Sequence, residues 1–265
     1  MKIIVPIKQV PETSNVKMDP ETGTMVRSGV EQIVNPLDLY AIEEALRLKN
    51  EHGGEVITLT MGPPNADKAL REAISMGCDE GILLSSSDFA GSDTWATSYV
   101  LAKAIQKIEK FDLILCGERA TDGDTGQVGP GIASWLEIPF LTYVSGLREV
   151  DSNKIVIERN VEGGYQIVEI ERPALFTVVK EINFPRLPTL EGKKIAKKKE
   201  IPTWGPEDIE ADQKKLGLNG SPTRVVDISQ PKVTRDGEIY APDTDQEIEQ
   251  SVDRLVEYFE ELEII

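Results

Sequence analysis

The chain has 265 residues, 40% of them apolar, and 46 acidic against 29 basic side chains give a formal charge of −17. That length suits one large domain, or one with a small appendage, and the apolar fraction excludes a disordered or collagen-like chain. The acidic balance argues against nucleic-acid binding, which needs a basic face, and no apolar run reaches the ~20 residues of a membrane span.

Residues 2–7 (KIIVPI) read as a first strand ending beside Lys8. They are too short, and lack the small-residue cleavage site, to read as a signal peptide. Asn35 is placed to cap a helix, with Pro36 and Asp38 in its first turn and Ala41, Ile42, Ala45, Leu46 and Leu48 along one side. Gly53-Gly54 stops it. EVITLTM (55–61) is the next strand, and a second helix with Ala66, Leu70 and Ile74 ends at Gly77. GILL (81–84) is a strand, 94–109 a third helix, DLILCG (112–117) a strand, and 128–136 a fourth helix. Such alternation predicts an α/β fold with a doubly wound parallel sheet and right-handed crossovers.

From about residue 140 the runs VSGLREV, KIVIERNV, YQIVEIE and ALFTVV follow one another without helices. They predict a smaller antiparallel sheet beside the first, with Gly163-Gly164 as a hairpin turn. Residues 183–223, with five prolines, read as loop, and 223–245 as an irregular connection. Ile248, Val252, Leu255, Val256, Phe259 and Leu262 keep helical spacing, which predicts a C-terminal helical arm. Residues 200–265 hold 17 acidic and 6 basic side chains, and Lys193, Lys194, Lys197, Lys198 and Lys199 stand just before that shift. The expected organisation is a nucleotide-binding core over 1–199 and an arm over 200–265.

The most informative stretch follows the strand 112–116. Gly117, Glu118, Arg119, Ala120, Thr121, Asp122, Gly123, Asp124, Thr125, Gly126 and Gln127 lead to a helix at Val128. A loop of small residues after a parallel strand lets backbone approach phosphates, and the next helix offers its N–H groups. Neither the Walker nor the Rossmann spacing is present. Residues 6–8, 35–38 and 61–62 fall on the same edge of the sheet. Taken singly, each has a plain alternative: a surface turn, a helix cap, a strand-to-turn junction. Their convergence favours a nucleotide site.

Elsewhere the chemistry is sparse. His52, the single histidine, faces solvent at a helix end, so no Ser-His or Cys-His pair is expected. Cys78 and Cys116 form neither a disulfide framework nor a metal pair. They read as buried thiols in a reducing cytoplasm. Asp122 and Asp124 read as loop or nucleotide contacts, and no metal is expected.

The segments IVPIKQVPE, VNPLDLYAIEEALRLK, LTMGPP with LREAISMGCDEG, GERATDGDTGQVGP, VEGGYQIVEIERPALFTV and NFPRLPTLEGKKIAKKK occur in that order. They resemble the beta subunits of electron transfer flavoproteins over almost the whole chain. The resemblance implies an alpha-subunit partner and an adenine nucleotide held by Pro6, Asn35, Pro36, Leu37, Asp38, Met61 and the loop Gly117–Val128. It also implies a recognition loop over Pro185–Ala196, anchored by Leu190, that docks on an acyl-CoA or similar flavin dehydrogenase. An exposed leucine between prolines, next to lysines, suits an apolar anchor with a steering rim.

Two positions depart from respiratory-type members: Thr13 stands where they carry a tyrosine, and Asn160 where they carry an acid. GDTGQVGP and the long tail are more similar to members from anaerobes. That likeness implies FAD in place of AMP, NADH as electron donor, and bifurcation towards a low-potential carrier such as ferredoxin or flavodoxin. The Gly123, Gly126 and Gly129 spacing leaves little bulk along the route FAD needs. No turnover is expected of the isolated chain, because the redox chemistry belongs to the flavin. Two rivals differ in kind. A stand-alone adenine-nucleotide sensor needs neither tail nor docking loop, and an adenylating ligase needs an SGGxDS-type loop, which this sequence lacks.

Overall fold

Continuous apolar runs such as Ile3-Ile4-Val5 cannot sit at a half-wet surface, and they become the interior strands of a sheet covered on both faces. The computed structural model describes residues 1–12, 31–224, 226 and 239–264, in two compact units, Met1–Arg224 and Val225–Ile265. Thr13 and much of the 223–245 connection lie outside the described residues.

The first unit runs β1 (Lys2–Pro6), β2 (Gln9–Pro11), β3 (Gln32–Val34), α1 (Asp38–His52), β4 (Glu55–Met61), α2 (Asp67–Met76) and β5 (Glu80–Leu84). It continues with α3 (Thr94–Ile108), β6 (Leu113–Gly117), α4 (Val128–Leu136), β7 (Phe140–Val150), β8 (Lys154–Val161), β9 (Gly164–Glu171) and β10 (Ala174–Val178). It closes with α5 (Leu190–Lys198), β11 (Thr203–Trp204) and α6 (Gly217–Gly220). One sheet has the order β11-β5-β4-β1-β6-β10-β7-β8-β9, and β2 pairs with β3 in a small antiparallel ribbon. Pairing is parallel from β11 to β7 and antiparallel through β8 and β9.

Alternation along each strand splits the core in two. Ile3, Val5, Leu113, Leu115 and Phe176 pack under α1 and α2, among Ile42, Leu46 and Leu70. Ile4, Ile114, Cys116 and Leu175 pack on the other face under α3 and α4, among Val100, Ile105 and Ile132. The doubly wound α/β expectation is met.

Three local expectations change. ALFTVV does not join the antiparallel strands. β10 pairs parallel with β6 (Leu175↔Ile114) on one side and with β7 (Leu175↔Phe140) on the other. Its five residues are all buried, the pattern of an interior parallel strand, whereas its place in the chain after a meander points the wrong way. The antiparallel strands β7-β8-β9 extend the same sheet rather than forming one beside it. In the hairpin, Val161 pairs with Gly164, so the turn is Glu162-Gly163, with Gly163 at φ 80°.

The region expected to be loop contains α5. Thr189 starts it by accepting the Gly192 N–H (2.9 Å), a cap hidden between two apparent breakers, Pro188 and Gly192. A Cβ at Gly192 would lie 2.1 Å from the Ser75 carbonyl oxygen, so the glycine is where α5 and α2 touch. β11 pairs with β5, and residues 200–224 belong to the first unit.

In the second unit, α7 (Asp245–Glu261) opens with a capping box. The Thr244 hydroxyl accepts the Glu247 N–H, and the Glu247 carboxylate accepts the Thr244 N–H, both at 3.3 Å. Ile248, Val252, Leu255 and Leu262 are exposed along one side of the expected C-terminal helix. Among the described residues no helix is long and apolar enough to cross a membrane.

Candidate functional site

From β1 the chain steps one way to β4 and β5, and from β6 the other way to β10 and β7. The boundary between β1 and β6 is therefore a topological switch point, where the carboxyl ends of strands leave a crevice. Pro6 ends β1 opposite Leu59 of β4, and Gly117 ends β6 opposite Val178 of β10. The loop after Gly117 rises at that crevice, and its Glu118 N–H donates to the Val178 carbonyl (3.1 Å).

Asn35 is expected as a helix cap, but its side chain does something else. Leu37 precedes α1 without a side-chain cap. The fully buried Asn35 amide crosses to the loop, its Nδ2 donating to the Arg119 carbonyl (2.9 Å) and its Oδ1 accepting the Thr121 N–H (3.2 Å). Its own N–H donates to the Lys8 carbonyl (2.8 Å). One side chain thus fixes two loop residues to the end of β1, and a buried amide left without these partners would carry a desolvation cost. A cap and a cross-strand clamp use the same residue types, so spacing alone cannot separate them.

Asp38 is buried too. It accepts the Lys8 N–H at Oδ2 (2.8 Å) and a backbone hydrogen bond from Gly117. Burial pushes its carboxyl up to about 7, and the bonds from Lys8, Asn35 and Gly117 offset only part of that. At Gly117 the approach is close: a Cβ would lie 2.4 Å from Asp38 Oδ1 and 2.7 Å from the Leu37 carbonyl carbon.

The loop itself is held at its base and open at its tip. Lys8 Nζ pairs with Asp122 Oδ1 (2.7 Å), and Arg119 Nε with Asp124 Oδ1 (3.0 Å). The Asp124 N–H closes a turn on the Ala120 carbonyl (2.8 Å). Thr121 to Thr125 are exposed, and a Cβ at Gly123 would meet nothing within 4 Å. Gln127 gives no side-chain cap to α4, whose first turn carries the Val128 and Gly129 N–H groups, Pro130 having none. At Gly129 a Cβ would come 2.7 Å from Thr177 Cγ2, so α4 packs tightly on β10.

Pro6 is buried, Leu37 is partly buried and Pro36 is exposed. Met61 lines a cleft of about 520 Å³ with Lys8, Gly62, Pro63 and Asn65, a size suited to a ligand. The structure thus brings Pro6, Asn35 to Asp38 and Gly117 to Val128 together at one crevice, with Met61 and Lys8 on one cleft. Lys8 lies in the 6–8 segment that the sequence places at this edge, and its pairing with Asp122 is what spacing does not reveal. Leu190, the first residue of α5, is exposed. The Cys78 thiol is pushed up to about 12 by burial and the Cys116 thiol is also raised, so neither is poised as a nucleophile.

Gly126 sits at φ 63°, a conformation that costs an L-residue ~1–2 kcal/mol. Gly126→Val is expected to distort the loop and cut bound nucleotide per mole of folded protein. Extraction and chromatography measure this, and unchanged content in a folded variant would remove the loop from the site.

The family model described as the electron transfer flavoprotein domain matches residues 22–209. The chain is also 47% identical over 256 residues to the electron transfer flavoprotein subunit beta of Thermoanaerobacterium thermosaccharolyticum, covering 96% of this chain and 98% of that protein. The chain belongs to the electron transfer flavoprotein beta-subunit family. Subunit CarD of the caffeyl-CoA reductase-Etf complex of Acetobacterium woodii is 46% identical over 249 residues, covering 94% of this chain and 95% of its own length. Protein FixA of Azotobacter vinelandii is 45% identical over 242 residues, covering 88% and 85%. As an electron transfer flavoprotein beta subunit, this chain serves electron transfer. The stand-alone sensor and the ligase give way to that reading.

Proposed function

We propose that the chain, bound to an alpha subunit, holds FAD at the β1/β6 crevice and takes part in passing electrons from NADH to a flavin dehydrogenase and to a low-potential carrier such as ferredoxin or flavodoxin. The observation that carries the reading is the loop Gly117–Val128, pinned at its base by Asn35 and open at its tip beside the uncapped start of α4. That arrangement suits a phosphate-bearing nucleotide: exposed Thr121 and Thr125 hydroxyls, free helical N–H groups, and no side-chain bulk at Gly123 or Gly126. Asn35 and Asp38 support it from beneath, while Lys8 and Met61 bound the cleft at its side. When bound, FAD supplies the redox chemistry that these side chains lack.

FAD rather than AMP is favoured by the room left at Gly123 and Gly126, though not at Gly129, which packs on β10, and by the likeness to CarD, whose name joins it to a CoA-ester reductase. The exposed apolar side of α7 supports a helical arm for the alpha subunit, and Leu190 beside the lysines of α5 supports docking on an acyl-CoA or similar flavin dehydrogenase. The setting proposed for this assembly is the cytoplasm.

The test is to purify the heterodimer, extract and quantify flavin and AMP, and add NADH without oxygen. Two FAD per heterodimer, bleached by NADH, is the expected result. One FAD with one AMP, and no NADH reaction, would place the chain with conventional electron carriers.

A further inference from the structure

Residues 183–190 combine two properties that normally exclude each other. Phe184, Leu187 and Leu190 are 90%, 85% and 82% exposed, yet the backbone that carries them is tied down. Asn183 Nδ2 donates to the Tyr40 carbonyl (3.0 Å) and to Glu44 Oε2 (2.9 Å), both on α1. The Thr189 N–H donates to the Ser75 carbonyl of α2 (3.3 Å).

Between these ties, a single carboxylate takes three donors from Arg186. Glu43 Oε2 accepts the Arg186 backbone N–H (3.1 Å) and Nε (2.7 Å), and Oε1 accepts Nη2 (3.0 Å). Arg47 Nε also reaches Oε1 (3.2 Å). The Glu43 side chain is only 6% exposed. Burial alone would raise its carboxyl, but the Arg186 bonds outweigh that and hold it below the usual range. A two-pronged, shielded arginine–carboxylate pair is stronger and more directional than a surface ion pair.

A free loop would fold its apolar side chains against the nearest greasy surface, and a docking partner would then have to extract and order them. We infer that the Glu43–Arg186 pair is a positioning latch, holding Phe184 to Leu190 outward in the shape that a partner pocket receives. The occupant is a dehydrogenase surface with an apolar pocket and an acidic rim, because Lys193, Lys194, Lys197 and Lys198 follow on α5. This rests on the docking role proposed above. Neither residue is a catalytic residue, since each acts through the loop backbone.

The experiment uses the flavin-loaded heterodimer and a purified acyl-CoA dehydrogenase as the probe, with Leu190→Ala measured beside Glu43→Gln, Arg186→Gln, Arg186→Lys and the double Gln variant. Three quantities are read: the half-saturating dehydrogenase concentration, amide hydrogen exchange over 184–190, and flavin content with the melting midpoint. Each Gln variant is expected to raise half-saturation roughly tenfold and speed the exchange, with flavin content unchanged. The double variant should be no worse than either single, because the two residues act as one pair. Arg186→Lys keeps the charge without the fork and should fall between.

A merely structural role would move the melting midpoint without that coupling. If Leu190→Ala weakens docking while the Gln variants leave docking and exchange unchanged, the latch is overturned and the docking role stands. Additive losses in the double variant also overturn the latch. If Leu190→Ala has no effect, the docking role falls and the latch falls with it.

Discussion

Gly117→Ala is expected to unfold the protein at far milder conditions and to disrupt the proposed nucleotide site. The added methyl would sit 2.4 Å from Asp38 Oδ1 and 2.8 Å from the Leu37 carbonyl oxygen, and neither neighbour is a flexible chain end. The carboxylate is fixed by Lys8 and Gly117, and Leu37 belongs to the backbone that enters α1. β6 cannot yield either, being paired on both sides by β1 and β10. Overpacking of this kind costs about 3 kcal/mol or more once the Gly117 hydrogen bond is strained as well. For a domain of this size that is a fall of roughly 6–12 °C in melting midpoint. Gly129→Ala is a second overpacking variant away from the β6–α1 junction, since its methyl would meet Thr177 Cγ2 at 2.7 Å, Leu175 Cδ2 at 3.5 Å and Cys116 Cβ at 3.7 Å. Wild-type melting in Gly117→Ala would show that the junction between β6 and α1 opens without cost.

Asp38 gives stability a pH dependence with a definite sign. Its carboxyl is raised from 3.8 to about 7, first by burial, so the folded state holds this proton where the unfolded chain has released it. Stability therefore falls as pH rises from about 4 to about 7 and levels off above. The whole shift corresponds to on the order of 4 kcal/mol. Glu44 and Glu72, also raised by burial, add slope of the same sign, so the contribution of Asp38 is isolated by difference. Asp38→Asn cannot ionise, and its denaturant midpoint should decline much less than wild type between pH 5 and pH 8. Parallel pH profiles for the two proteins would refute the assignment.

What the sequence revealed follows from what each signal measures. β4 and α4 match the predicted limits of 55–61 and 128–136, because apolar periodicity and glycine stops are local properties. The sequence does not reveal β10 as an interior parallel strand because its partners lie about 60 and 35 residues upstream, beyond any local pattern. α5 looks like loop in the sequence because its cap, Thr189, is framed by Pro188 and Gly192. At the site, glycine spacing and strand order locate the crevice. The clamp role of Asn35 and the Lys8–Asp122 pair are contacts between distant segments and leave no mark on spacing.

The position of β10 also sets an order of assembly. The strands on either side of it, β6 and β7, are made earlier, and β8 and β9 are complete before its first residue, Ala174, is added. Without β10 this fold would leave an apolar slot between β6 and β7, with unpaired backbone on both lips. Phe176 fills the middle of that slot with no exposure to water. The two sides of the β1/β6 crevice, β1 with β6 and the β10 edge that receives Glu118, are joined through this late strand. Only a chain that extends past Val178 can give β6 its β10 partner and Glu118 its carbonyl acceptor.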